Sequence, residues 1–232
     1  MYERLILKLS GEALSNDNEN IDVDKLSALA ESIKVFTDNK IKLGIVVGGG
    51  NFARGRSLSK LGLDRSASDH IGMLGTVMNA IALTYALKSV GIKAQTFSAL
   101  QIEGVEKFES EKAKQLYEEG TVLVFGGGVG NPYFSTDSCC ALRACQLNAE
   151  MILIAKNGVD GVYDDDPKSN PNAKRYDKLS FNDILTNRLQ VIDATAAGLC
   201  QDNGIKAFVF DMNEEGNLLK ALNGEAVGTY II

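Results

Sequence analysis

The sequence predicts an α/β protein, a three-layer αβα sandwich around a central, mainly parallel sheet. Three observations carry that expectation. Short apolar runs alternate with amphipathic stretches along the chain. Two of those runs end in glycine triplets, Gly48–Gly50 and Gly126–Gly128. Glycine is frequent, at 23 residues, and proline rare, at 3, which suits strands that feed short loops and tight turns.

In chain order, Leu5–Leu9 reads as a short buried strand. Asp22 or Asp24 can cap a helix whose apolar positions Leu26, Leu29, Ile33 and Phe36 recur at helical spacing. Lys42–Val47 is the second strand and runs into the first triplet. Ser68 or Asp69 begins a long helix with the stripe Met73, Val77, Ala80, Ile81, Thr84 and Leu87, stopped at Gly91. Strand Lys93–Phe97, the charged helix Glu111–Glu119 and strand Thr121–Phe125 lead into the second triplet. A helix Thr136–Gln146 and a strand Met151–Ala155 follow, then a turn and hairpin at 158–163 and a polar loop at 164–174. Ser180 with Asp183 offers a capping-box start. Segments 193–201, 205–210, 215–222 and 228–232 complete the alternation. With 232 residues and no linker or repeat, residues 1–232 are expected to form a single domain.

Composition excludes several functions. Net charge is −6 with no Lys/Arg run, so nucleic-acid binding is not expected. The N-terminus lacks a signal-peptide layout, and no stretch reaches the roughly 20 apolar residues of a membrane span. A cytoplasmic protein without membrane contact is the expectation. Cys139, Cys140, Cys145 and Cys200 lack a zinc spacing and read as small apolar residues in a reducing compartment.

Both triplets follow a strand and precede a helix, where open α/β sheets bind ligands. Glycine there lets backbone N–H groups approach a phosphate, aided by the next helix N-terminus. No glycine is followed by lysine, so the P-loop signature is absent, and Gly128-Val129-Gly130 fails the dinucleotide fingerprint. His70 is the single histidine and sits in the first turn of a predicted helix, which disfavours base-driven chemistry. Phosphoryl transfer to a nucleoside monophosphate needs no base, because the acceptor phosphate is largely dianionic above its second pKa of about 6. Positioning and cations then carry catalysis. Lys8 is the candidate cation, interrupting the apolar run Leu5–Leu9 just before Ser10-Gly11. Asp69 and Asp137 read either as helix caps or as site carboxylates, and Asp164–Asp166 as a solvated turn or a ribose or metal neighbour.

These motifs assemble into a pattern. Lys8-Leu9-Ser10-Gly11-Glu12-Ala13-Leu14, Gly48–Asn51 with Arg54-Gly55, and Asp69-His70-Ile71-Gly72-Met73-Leu74 come first. Gly130-Asn131-Pro132-Tyr133-Phe134-Ser135-Thr136-Asp137-Ser138, then Val159–Tyr163 with Asp166-Pro167, follow in order. In order and spacing the chain resembles the bacterial UMP kinases, a branch of the amino-acid kinase family unrelated to P-loop kinases. The resemblance implies transfer of the ATP γ-phosphate to UMP, with magnesium accompanying ATP and no separate metal site on the protein. It implies that Lys8, Leu9, Ser10 and Gly11 hold the ATP phosphates, with Gly50 and Arg54 also on the ATP side, and that Asn157, Tyr163 and Asp166 hold the adenine and ribose end. UMP is expected at Gly49, Asp69 and the stretch Val129, Gly130, Asn131, Pro132, Tyr133, Phe134, Ser135 and Thr136. Lys8 and Arg54 are the expected transition-state cations, with Asp137 orienting Lys8 or acting on the magnesium ion. A homohexamer in de novo pyrimidine nucleotide synthesis is also implied.

Two departures from the family pattern stand out. Where a glycine-rich stretch linked to GTP activation often follows Leu14, this chain reads Ser15-Asn16-Asp17-Asn18-Glu19-Asn20, so GTP activation is not expected. Where the family usually has an aromatic at the position of Ala53, the aromatic here is Phe52. The rival readings are a kinase for a carboxylate or carbamate acceptor, a non-catalytic nucleotide-binding or regulatory protein on the same fold, and an NAD oxidoreductase. The Asp69 and Val129–Thr136 blocks oppose the first, the retention of both Lys8 and Arg54 the second, and the missing fingerprint the third.

Overall fold

A computed structural model describes residues 2–52, 62–167, 169–189, 191–214, 216–223 and 225–232. Its first half contains β1 (Arg4–Leu9), a 3-10 turn (Gly11–Leu14), α1 (Val23–Asp38), β2 (Lys42–Val47), α2 (Arg65–Ser89), β3 (Ala94–Ser98) and β4 (Glu106–Lys107). Then come α3 (Ser110–Glu118), β5 (Val122–Gly126), α4 (Thr136–Gln146), β6 (Met151–Lys156), β7 (Val162–Tyr163) and β8 (Arg175–Tyr176). The chain ends through β9 (Lys178–Leu179), α5 (Phe181–Asn187), α6 (Ala194–Asn203), β10 (Lys206–Asp211), α7 (Asn217–Leu222) and β11 (Gly228–Ile231).

Among the described residues nine strands form one sheet in the order β4-β3-β5-β2-β1-β6-β10-β11-β9, and β7 pairs with β8 in a separate hairpin. All neighbours in the large sheet run parallel except β10 and β11. Strand β1 lies between β2 and β6, so their C-terminal ends converge on one edge. Helices cover both faces, as a parallel sheet requires.

The two-residue period of the strands decides which side chain meets which helix. Leu5, Leu7 and Leu9 enter the core shared with α1 and α2, whereas Ile6 enters the core shared with α4, α5 and α6. Lys8 has the parity of Ile6 and therefore meets α4. The same parity puts Ile152 and Ile154 of β6 on the α4 side, and Lys156 follows them at the strand end.

Most expected elements are present, with identifiable differences. The long helix begins at Arg65, capped by Asp64 through Ala67 N–H at 2.7 Å, rather than at Ser68 or Asp69. Several capping residue types in succession hid that start from the sequence. Strands β4 and β9, of two residues each, carry too little pattern to be read beforehand. The Ser180–Asp183 capping box forms as expected. Helix α2 is long and apolar enough to cross a membrane by composition, but half of that stretch is buried inside the molecule, as in a core helix. Cys139, Cys140 and Cys200 are buried thiols, as expected, and Cys145 is partly buried.

Candidate active site

The converging ends of β1 and β2 and the start of α4 enclose a cavity of about 330 Å³. Lys8, Leu9, Ser10, Gly11, Gly49, Gly50, Ser135, Thr136 and Asp137 all line it. Expected ATP-phosphate residues and expected acceptor residues thus share one space. Ser135 caps α4, accepting from Asp137 N–H at 2.9 Å and Ser138 N–H at 3.2 Å. The Asp137 carboxylate is therefore not spent on capping and faces Lys8, with Nζ to Oδ1 at 2.5 Å.

Burial works against the Lys8 charge. The Asp137 carboxylate, with a smaller contribution from Asp193, outweighs it and holds the ammonium above its usual range. The Ser10 hydroxyl is buried at the same turn and has no hydrogen-bond partner among the described residues. An orphaned buried donor of this kind is costly unless a ligand completes it, and a phosphate oxygen would.

The first triplet is pinned from α2. Asn79, fully buried, donates to Gly48 O at 2.7 Å and exchanges hydrogen bonds with Asn51, which also donates to Asn20 O at 2.6 Å. Gly49 lies so close to α2 that a Cβ there would stand 2.4 Å from Gly72 O. Phe52 packs over Gly75 of α2, and its N–H donates to Gly49 O at 3.1 Å, tying the aromatic to the turn. At the second triplet, Gly127 (φ 77°), Gly128 (φ 57°) and Gly130 (φ 85°) occupy the left-handed region that favours glycine. Gly127 N–H donates to Thr76 Oγ1 at 2.7 Å, so α2 braces both turns.

Residues Val129–Pro132 form the turn from β5 into α4, and Val129 packs on the core. Asp69 accepts a hydrogen bond from Tyr133 N–H at 2.7 Å and pairs with Arg65, whose guanidinium lies 4.6 Å from the Tyr133 ring centroid. Asp69, Tyr133, Phe134 and Ser135 line a neighbouring cavity of about 320 Å³ together with Asp193. Tyr133 and Phe134 are exposed apolar groups at its mouth.

Tyr163 and Asp166 line a third cavity, of about 570 Å³. Tyr163 donates to Asp160 at 2.6 Å, and Asp160 pairs with Arg175 at 2.5 Å, which fixes the β7–β8 hairpin as a wall. Asn157 is placed apart from these two, on a cavity of about 520 Å³ with Glu12 and Met212. Arg54 and its neighbours Ala53, Gly55 and Arg56 lie outside the described residues.

Two residues were missed by sequence reasoning. Asp193 caps α6 through Ala196 N–H at 2.9 Å and accepts from both Ser135 and Ser138, clamping the start of α4. Nothing in the sequence separated it from an ordinary cap. Lys156 ends β6 within the same group of cavities. Its signal was present, since it ends the apolar run Met151–Ala155 much as Lys8 breaks its own strand.

Among the described residues no group of three or more His, Cys, Asp or Glu side chains could hold a metal ion by itself. Two carboxylates, Glu12 and Asp137, line the Lys8 cavity beside the turns. That fits a magnesium ion delivered on a nucleotide, which keeps most of its water and binds through substrate phosphates.

Comparison with known proteins shows the family. The family model for the amino acid kinase family matches residues 3–211. Uridylate kinase of Streptococcus thermophilus is 42% identical, the alignment covering 99% of this chain and 95% of that protein. The crystal structure of UMP kinase from Ureaplasma parvum superposes with a TM-score of 0.94 at 39% identity, over 100% of this chain and 99% of the other. That of UMP kinase from Bacillus anthracis gives 0.96 at 36% identity, over 99% and 96%.

Proposed function

We propose that this chain, which belongs to the amino acid kinase family, is a UMP kinase: ATP + UMP → ADP + UDP. The observation that carries the reading is the Lys8–Asp137 pair, set where both glycine-rich turns and the N-terminus of α4 meet. Similarity to uridylate kinases over the whole chain supports it and speaks against a non-catalytic protein on the same fold.

In the proposed reaction a phosphate oxygen of UMP attacks the γ-phosphorus of ATP in line. The bond to the β–γ bridging oxygen breaks, and ADP leaves with that electron pair. The acceptor oxygen carries no proton above a pKa of about 6, so no base is required. Lys8, kept charged by Asp137, meets the charge on the transferring group, and the orphaned Ser10 hydroxyl and the Gly11 and Gly50 backbone hold the phosphate chain. Arg54 is assigned as the second cation. Asp69 and the stretch 129–136 are assigned to UMP, and Asn157, Tyr163 and Asp166 to the nucleoside end of ATP. Magnesium carried by ATP would supply charge neutralisation of the donor phosphates, and Asp137 would be placed to act on it.

The reading extends to a single domain over residues 1–232, a cytoplasmic place and a role in de novo pyrimidine nucleotide synthesis. Neither nucleic acid nor membrane is a proposed partner. A homohexamer is proposed from the family resemblance, and Ile71, Leu74, Met78 and Tyr85, exposed apolar residues recurring along one face of α2, offer a surface for contact between copies.

A coupled assay of ADP release with UMP, CMP, dUMP, aspartate and carbamate as acceptors tests the reading. UMP should be turned over at least about tenfold faster than any other acceptor, the size of a discrimination of about 1.4 kcal/mol. Turnover of aspartate or carbamate without UMP would overturn it.

A further inference from the structure

Lys8 and Lys156 close adjacent parallel strands. Lys8 pairs in register with Ile154, so Lys156 stands one pleat further along the neighbouring strand. Both share the parity of residues that pack towards α4, so both side chains belong to the same face of the sheet.

Lys156 lines two adjoining cavities. One, of about 440 Å³, it shares with Asp137 and Asp193; the other is the 570 Å³ cavity walled by Tyr163 and Asp166. Arg188, Leu189 and Val191 belong to both as well. Lys156 thus stands at the joint between the Lys8–Asp137 pair and the β7–β8 wall.

Its polar partner among the described residues is a neutral group, the Val191 carbonyl at 3.3 Å. A half-buried ammonium without a carboxylate partner is expensive to maintain. Burial first, and then repulsion from Lys8, hold its pKa below the usual lysine range, despite Asp137. A core lysine of purely structural use would gain from a paired carboxylate, but among the described residues its hydrogen-bond partner is the Val191 carbonyl, while Asp137 is paired with Lys8. An anionic ligand would complete the site.

We propose that Lys156 is a further phosphate-binding cation of the donor nucleotide, contacting the β- or γ-phosphate where the chain passes from Lys8 towards the Tyr163 wall. The proposal rests on the kinase reading above for the identity of the donor.

The test is calorimetric titration of ATP, ADP, AMP and UMP into the full chain, with Lys156→Met, which keeps the apolar stem, and Lys156→Arg, which keeps the charge. In Lys156→Met, ATP and ADP should bind about tenfold or more weakly, while AMP and UMP stay within about twofold, the spread expected where no phosphate contact is lost. Lys156→Arg should recover most of the ATP affinity. ATP binding by Lys156→Met equal to that of the parent would overturn the proposal. An equal loss for ATP, AMP and UMP would also overturn it, showing Lys156 to be only a tether for the Val191 loop. Because binding is read without turnover, failure of the UMP reading, seen as no UDP from the parent chain, is a separate result.

Discussion

Lys8→Ala should lower kcat by about 10²-fold or more, the cost of removing a preorganised charge stabiliser from a water-poor site. The effect is large because no base or covalent step shares the work: positioning and cation charge are all that the proposed transfer uses. Lys8 sits at the end of β1 with its ammonium 2.5 Å from Asp137, and the two side chains are 15% and 17% exposed. At that exposure the pair is neither a solvated surface ion pair nor a sealed one. Removing the lysine leaves a carboxylate that cavity water can reach, so the fold should survive with a loss of order 1–3 kcal/mol. Steady-state kinetics beside a urea titration would separate the two effects. Comparison with Asp137→Ala and the double variant would show the coupling, since groups that act as a unit give losses far from additive. A Lys8→Ala enzyme with near-parental kcat would remove Lys8 from the mechanism.

Gly49→Ala should be a strongly damaging single methyl. The added Cβ would sit 2.4 Å from the Gly72 carbonyl and 3.2 Å from Thr76 N, both backbone atoms of α2. Neither can swing aside as a side-chain tip does. The turn must move against the helix, at about 1–3 kcal/mol for the strain. Displacement of the turn by even about 1 Å would cost on the order of 10²-fold in turnover, because the reacting groups lose alignment. Gly50 provides the internal control: a Cβ there meets nothing within 4 Å. Gly50→Ala should therefore match the parent in thermal stability, while Gly49→Ala unfolds several degrees lower. Equal melting temperatures for both variants would contradict the close approach between the turn and α2.

What could be read from the sequence was what depends on local pattern. Lys8 was visible because a charge inside Leu5–Leu9 breaks an apolar run, and the triplets because glycine at strand ends has few other uses. The capping box at Ser180 was legible since its two partners are three residues apart. The long-range placements were not. Asn79 looks like any polar residue on a helix, yet it pins a turn 31 residues earlier in the chain. Asp193 serves as a cap, as its residue type suggests, but its other oxygen contacts reach Ser138, 55 residues away. Asp137, read as a cap or a site carboxylate, is released for Lys8 because Ser135 caps α4 instead. Lys156 shows the same strand-end interruption as Lys8, and its meaning emerges only when β6 is known to lie beside β1.

The most direct test of the central claim is phosphorus NMR of the chain with ATP, magnesium and UMP, run beside Lys8→Ala at equal concentration. UDP and ADP should form in equal amounts, with the variant slower by about 10²-fold. ADP accumulating without UDP, or equal rates from the two proteins, would contradict it.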